Sequence, residues 1–73
     1  MKNKIRIDTY TDAAEFVAIT TALGGHITVT DGANHRVNAK SLLGMIYAIE
    51  FEEMWCESEN DIYSAIKRFV INE

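Results

Sequence analysis

The hydrophobic pattern of the chain changes period several times. Residues 4–10, KIRIDTY, alternate: Ile5, Ile7 and Thr9 fall on one face and Arg6, Asp8 and Tyr10 on the other, which predicts a half-buried strand. The period then lengthens. Phe16, Ile19, Thr20 and Leu23 recur at i, i+3, i+4 and i+7, the stripe of a helix that buries one side. Asp12 and Glu15 have the spacing of a capping box at its start. Gly24 and Gly25 end it, one of them in the left-handed region.

A second strand follows in HITVT, with Ile27 and Val29 turned toward the helices. Asp31 and Gly32 open a tight connection that runs as far as Asn34, and HRVN returns as a third strand. The next helix starts near Ser41, with Leu42, Met45, Ile46 and Ile49 inward and Leu43 and Tyr47 pointing elsewhere. Gly44 inside that helix costs about 1 kcal/mol relative to alanine, which implies close packing against another element. EEMWCE reads as a fourth strand, with Met54 and Cys56 on one face and Glu53, Trp55 and Glu57 on the other. In the last helix Ser58 and Asp61 have capping-box spacing. Ile62, Ala65, Ile66 and Phe69 form its stripe, and Lys67 and Arg68 sit near its end, where the helix dipole favours cations.

The predicted order is therefore β-α-β-β-α-β-α. Strands with one apolar face need a covering layer, and three amphipathic helices supply it. This implies an α+β, open-faced two-layer sandwich with a four-stranded antiparallel sheet and three helices on one face. The 73 residues are expected to form one domain, residues 1–73, near the lower size limit, where roughly 60% of the unfolded surface is buried. Hydrophobic residues at 48% and charged residues at 25% fit a globular chain.

Charge and chemistry narrow the function classes. Net charge is −4 and the seven Lys and Arg are scattered, whereas nucleic-acid binding needs clustered cations; no nucleic-acid partner is expected. The single cysteine, Cys56, makes no intramolecular disulfide, and with two histidines it makes no zinc site; no metal and no cofactor are expected, and a reducing cytoplasm is the expected location. Arg6 and Asp8 interrupt any apolar signal segment. The apolar run 42–49 is too short to span a membrane, so no membrane partner is expected. Paired catalytic carboxylates, a nucleophile with its base and a glycine-rich phosphate loop are all missing from the pattern, and an enzyme is not expected.

The order of elements, together with VNAKSLLGM at residues 37–45 and END at 59–61, resembles HPr, the small phosphocarrier of the bacterial sugar phosphotransferase system. The resemblance covers residues 4–70. It implies a phosphoryl-accepting histidine at the start of the first helix, in a segment like IHARPA. A phosphohistidine needs an imidazole, helix-end amides and an arginine to balance its charge. The matching segment here is TDAAEF: Asp12 stands at the histidine position, Ala14 at the arginine position and Glu15 at the proline position. The resemblance therefore implies a degenerate member without phosphocarrier activity. His26 and His35 read as surface or strand-edge residues. Asp12 as an aspartyl-phosphate acceptor would need a divalent cation and neighbouring carboxylates, of which only Glu15 is near.

Ser41 matches the serine that a dedicated HPr kinase phosphorylates in many Gram-positive members, and Asn38, Lys40 and Gly44 match its surroundings. Serine is also a preferred helix cap irrespective of regulation. Both readings stand for Ser41. In HPr-like proteins the exposed apolar side of the second helix docks partners. Leu43 and Tyr47 would occupy it here, with Leu42 and Ile46 at its margin. A second candidate is the open sheet face with Tyr10, Thr28, Thr30 and Trp55. There Trp55 either meets a partner or lies beneath a loop or the hairpin.

The leading expectation is a non-catalytic HPr-like regulatory or adaptor protein that binds protein partners, or itself. The alternative is a regulatory phosphoprotein of the sugar system switched at Ser41. A structural homodimer built on the sheet face is a third reading. HPr kinase and a transcriptional regulator are the kinds of partner that the resemblance suggests.

Overall fold

A computed structural model describes residues 1–71. Along it run β1 (Lys2–Ile5), α1 (Tyr10–Thr21), β2 (Ile27–Thr30), β3 (Arg36–Asn38), α2 (Leu42–Ala48), β4 (Met54–Ser58) and α3 (Tyr63–Ile66), the last passing into a 3-10 turn, Lys67–Phe69. The four strands form one antiparallel sheet in the order β1-β4-β2-β3. The fold is α+β, an open sheet with three helices, compatible with a two-layer sandwich.

Register decides which side chains share a face. Lys2 pairs with Glu57 and Lys4 with Trp55, while Thr28 lies between Glu57 and Asn38 and Thr30 between Trp55 and Arg36. These residues make the open face, because side chains alternate along a strand. Ile5, Ile27, Val29, Met54 and Cys56 point the other way and are buried with Phe16, Met45, Ala48, Ile66 and Phe69 from the helical side. Phe16 and Phe69 meet edge to face, 5.3 Å between centroids.

The connections are held by polar groups that reach across elements. The buried Thr20 hydroxyl donates to the Ala39 carbonyl at 2.8 Å, and the Lys40 ammonium donates to the Leu23 carbonyl at 2.7 Å, so two bonds tie the end of α1 to the start of α2. Gly25 takes a φ of +81°, the left-handed residue predicted after α1, and Gly32 a φ of +83° in the connection between β2 and β3. Beyond β4, the outer edge of β1 is met by the returning chain: the Arg6 amide donates to the Phe69 carbonyl and the Ile71 amide to the Lys4 carbonyl, each at 2.9 Å.

Several local expectations are corrected. The first strand is Lys2–Ile5 and does not run from residue 4 to residue 10, because its partner β4 begins at Met54, opposite Ile5, and offers nothing to pair with further on. Ile7 is nevertheless buried, and Tyr10 becomes the first residue of α1 and leaves the sheet face altogether. Thr9, in extended backbone, is the cap of α1: its hydroxyl accepts from the Asp12 amide at 3.0 Å, so Asp12 and Glu15 are not a capping box. Leu42, expected inward, is 45% exposed, and the inward positions are filled by Met45 and, three residues on, Ala48.

The last helix is shorter than its stripe suggests. β4 extends through Ser58, whose hydroxyl donates to the Asn60 carbonyl at 2.5 Å, so Ser58 caps nothing. α3 begins at Tyr63, and the Asp61 carboxylate accepts from the Tyr63 amide at 3.1 Å. Ile62, Ile66 and Phe69 are buried, but Ala65, inside the single turn of α3, is exposed.

Candidate functional site

The start of α1 holds Asp12, Ala14 and Glu15, the residues that the resemblance to HPr sets against the phosphoryl-accepting segment. Asp12 is partly buried on the first turn, Ala14 and Glu15 are exposed, and Arg68 arrives from the 3-10 turn after α3. The Arg68 guanidinium donates to the Glu15 carboxylate at 2.5 Å and lies 3.4 Å from the Asp12 carboxylate. Its plane also lies over the Phe69 ring, 4.3 Å from the centroid. The end of the helix is thus an arginine clasped by two carboxylates, with the Thr9 hydroxyl already on the Asp12 amide. The arginine comes from 53 residues beyond Glu15, and no local spacing announces it. His26 and His35 are exposed and lie outside this cluster.

Ser41 is the cap of α2: its hydroxyl accepts from the Gly44 amide at 3.1 Å. Gly44 sits where a Cβ would come within 3.3 Å of the Val37 side chain and of the Ser41 hydroxyl, which is the close packing its presence in a helix implied. The preceding turn is held by the Asn38 carboxamide, which accepts from the Lys40 amide at 2.8 Å. The Lys40 ammonium itself is engaged by the Leu23 carbonyl at the end of α1.

Immediately after Ser41 the outer face of α2 turns to solvent. Leu43 is 79% exposed, Tyr47 53% and Leu42 45%, while Ile46 is half-buried at the margin. The strip continues past the helix. Tyr47 and Phe51 stand edge to face with centroids 5.6 Å apart, and the His35 ring lies 6.3 Å from Tyr47 and 6.0 Å from Phe51. His35 is held by the Asp31 carboxylate, which accepts from its Nδ1 at 2.8 Å and from the Ala33 amide at 2.8 Å; these bonds, led by the amide, hold the Asp31 carboxyl below its ordinary value. Phe51 and His35 were not singled out as site residues. A phenylalanine set among the acids of IEFEE was the available signal for one; the proximity of His35 depends on how the hairpin folds back.

The open sheet face carries a large aromatic in a different setting. Trp55 is half-buried: the Lys2 and Lys4 ammonium groups lie 5.1 and 5.7 Å from its ring, and its indole N–H donates to the Glu53 carboxylate at 3.0 Å. The hairpin reaches it too, since a Cβ at Gly32 would come within 3.4 Å of the indole. Beside it Glu57 accepts from Arg36 and pairs with Lys2, and the Arg36 bond holds the Glu57 carboxyl below its ordinary value. Thr30 lies on this face as expected but is buried there, its hydroxyl donating to the His35 carbonyl at 2.8 Å. On the opposite face Cys56 is buried, and that burial pushes its thiol up to about 11, too high for a nucleophile at neutral pH.

Chemically, these surfaces can bind and pair charges. Among the described residues no group of three His, Cys, Asp or Glu side chains is placed to hold a metal ion, and no helix is long and apolar enough to cross a membrane. In the comparisons with known proteins, no family model matches the chain, and no curated protein or solved structure matches it significantly.

Proposed function

We propose that the chain is a non-catalytic HPr-like adaptor that binds protein partners through the outer face of α2 and has lost phosphohistidine transfer. The observation that carries the reading is the pairing of opposite ends. The start of α1 is occupied by Asp12 and Glu15 clasping Arg68, with neither an imidazole nor an uncommitted cation, while α2 retains a serine cap, the Gly44 contact and an apolar strip in solvent. An incoming phosphoryl group would meet two carboxylates at α1 and would have to displace them from the arginine. At α2, apolar area in water is available to a partner at about 25 cal/mol per Å² buried.

Two measurements test this. Incubation with Enzyme I and phosphoenolpyruvate should leave the mass of the protein unchanged; an acid-labile phosphate would overturn the reading. A photo-crosslinking residue at position 43, in the cells that make the protein, should give discrete protein adducts that the same residue at the exposed position 18 does not. Absence of adducts at 43 would remove the partner-binding half.

The adjacency of Ser41 to Leu42 and Leu43 favours a second reading, a regulatory phosphoprotein switched at Ser41. A phosphate there would place a dianion at the edge of the docking strip, at the positive end of the helix. Incubation with HPr kinase and ATP decides it: labelling of the wild type that disappears in Ser41→Ala supports the switch, and equal labelling of both removes it.

A further inference from the structure

We propose that the pocket at the far end of α2 takes the ammonium or guanidinium head of a basic side chain on the partner protein. The partner segment is then apolar where it crosses Leu43 and cationic where it passes Tyr47. This rests on the partner-binding role of α2 proposed above and gives that partner a chemistry.

Three rings converge at the pocket. Tyr47 and Phe51 are perpendicular, 5.6 Å apart, and His35 closes the third side at 6.3 and 6.0 Å. The pocket measures about 530 Å³, and besides Ala33 its remaining lining is acidic: Asp31, Glu50, Glu52 and Glu53. An aromatic face attracts a cation held within about 6 Å of its centroid, and the attraction grows when the cation is partly desolvated. Carboxylates around the rim add to it at short range.

Two of the four acids are already engaged, Asp31 with His35 and Glu53 with the Trp55 indole. Glu50 and Glu52, both exposed, are the charges best placed for a visitor. The cations of the chain that lie over rings do so elsewhere, Lys2 and Lys4 on Trp55 and Arg68 on Phe69.

Continuity selects a protein segment as the occupant. Tyr47 belongs to both the apolar strip and the pocket, so one extended or helical segment can cover Leu43 with an apolar residue and set a lysine or arginine against the rings. The arrangement also discriminates. An acidic segment of equal hydrophobicity would bring like charge against Glu50 and Glu52, which costs affinity and slows encounter.

The test uses the whole protein and two small probes, N-acetyl-lysine methylamide and its neutral counterpart N-acetyl-norleucine methylamide, followed by amide NMR shifts. The lysine probe should give saturable shifts at His35, Tyr47, Glu50 and Glu52, with at least fivefold higher affinity than the norleucine probe. Tyr47→Leu, and separately the Glu50→Gln/Glu52→Gln pair, should each weaken it at least fivefold while the remaining spectrum stays folded. Equal affinity for both probes, shifts centred on Glu57 instead, or no saturation would overturn the proposal.

The crosslinker at position 43 separates the two readings. Adducts that persist undiminished in the Glu50→Gln/Glu52→Gln protein would overturn the cation pocket and spare the docking strip. Specific lysine binding in a protein without adducts would support the pocket and overturn the docking reading on which its partner rests.

Discussion

Trp55 on the sheet and Leu43 on α2 are both large apolar side chains on the outside of the molecule, and their surroundings differ in kind. Around Trp55 the chain supplies its own partners: two lysines over the ring, a carboxylate on the indole N–H and the hairpin glycine alongside. The neighbouring charges are matched as well, with Glu57 between Lys2 and Arg36. Around Leu43 nothing of the sort is built, and 79% of the residue faces water. A face whose polar and aromatic groups are satisfied within the chain gains little from a partner; an apolar strip left in solvent gains by being covered. The contrast is the reason for reading the sheet face as stabilising and for proposing recognition at α2.

Four substitutions can break or sharpen that contrast. The largest effect is expected on the sheet. Trp55→Ala should lower unfolding stability by about 2 kcal/mol, the loss of a half-buried aromatic and its two cation contacts, with no change of mass in light scattering. A fall in mass from dimer to monomer would instead make the sheet face an interface and reverse the assignment. Ser41→Ala comes next: it removes the acceptor of the Gly44 amide and should cost about 1 kcal/mol in denaturant unfolding.

The third concerns pH. Glu57 is held below its ordinary value of 4.5, chiefly by the Arg36 hydrogen bond, so its contribution to stability is present above that pH and is lost as pH falls through the lowered value. Exposure screens the pair, and the contribution should be under about 1 kcal/mol. Glu57→Gln should therefore flatten the decline in stability below about pH 4.5, and an unchanged acid limb would show that the pair contributes nothing. The smallest effect on folding is expected at the proposed recognition face. Leu43→Glu should change stability by no more than about 0.5 kcal/mol while removing the crosslinks of its neighbourhood. A large destabilisation would mean that Leu43 packs within the protein and is not held out for a partner.

How much of this was legible in sequence depends on the range of the interaction. The inward faces of β2 and β4 follow from alternation, and Ile27, Val29, Met54 and Cys56 are buried as the pattern requires. Ser41 as cap, Gly44 as a close contact and a left-handed glycine after α1 were likewise readable, because each depends on neighbours within a few residues. The ends of elements were not. Ser58 looked like a cap, yet it pairs with Ile27 in the sheet, and Tyr10 looked like a strand residue, yet it begins a helix. Each boundary is set by whether a partner strand extends that far.

The candidate site divides in the same way. Leu43 and Tyr47 fall on the outer face of α2 by helical period alone. Arg68 between Asp12 and Glu15, and His35 beside Tyr47 and Phe51, join residues that no local pattern connects.

From sequence alone came the periods of strand and helix, the acidic start of the first helix at TDAAEF, and an apolar strip following Ser41. These are properties of side-chain chemistry and short spacing, which a chain carries wherever it folds. Only the tertiary structure decided that Lys2 and Lys4 shield Trp55, that Arg68 occupies the two carboxylates, and that three rings and four acidic residues line one open pocket at the end of α2. Those depend on sheet register and on the angle at which distant segments return, and both are fixed by packing of the whole core rather than by any one segment.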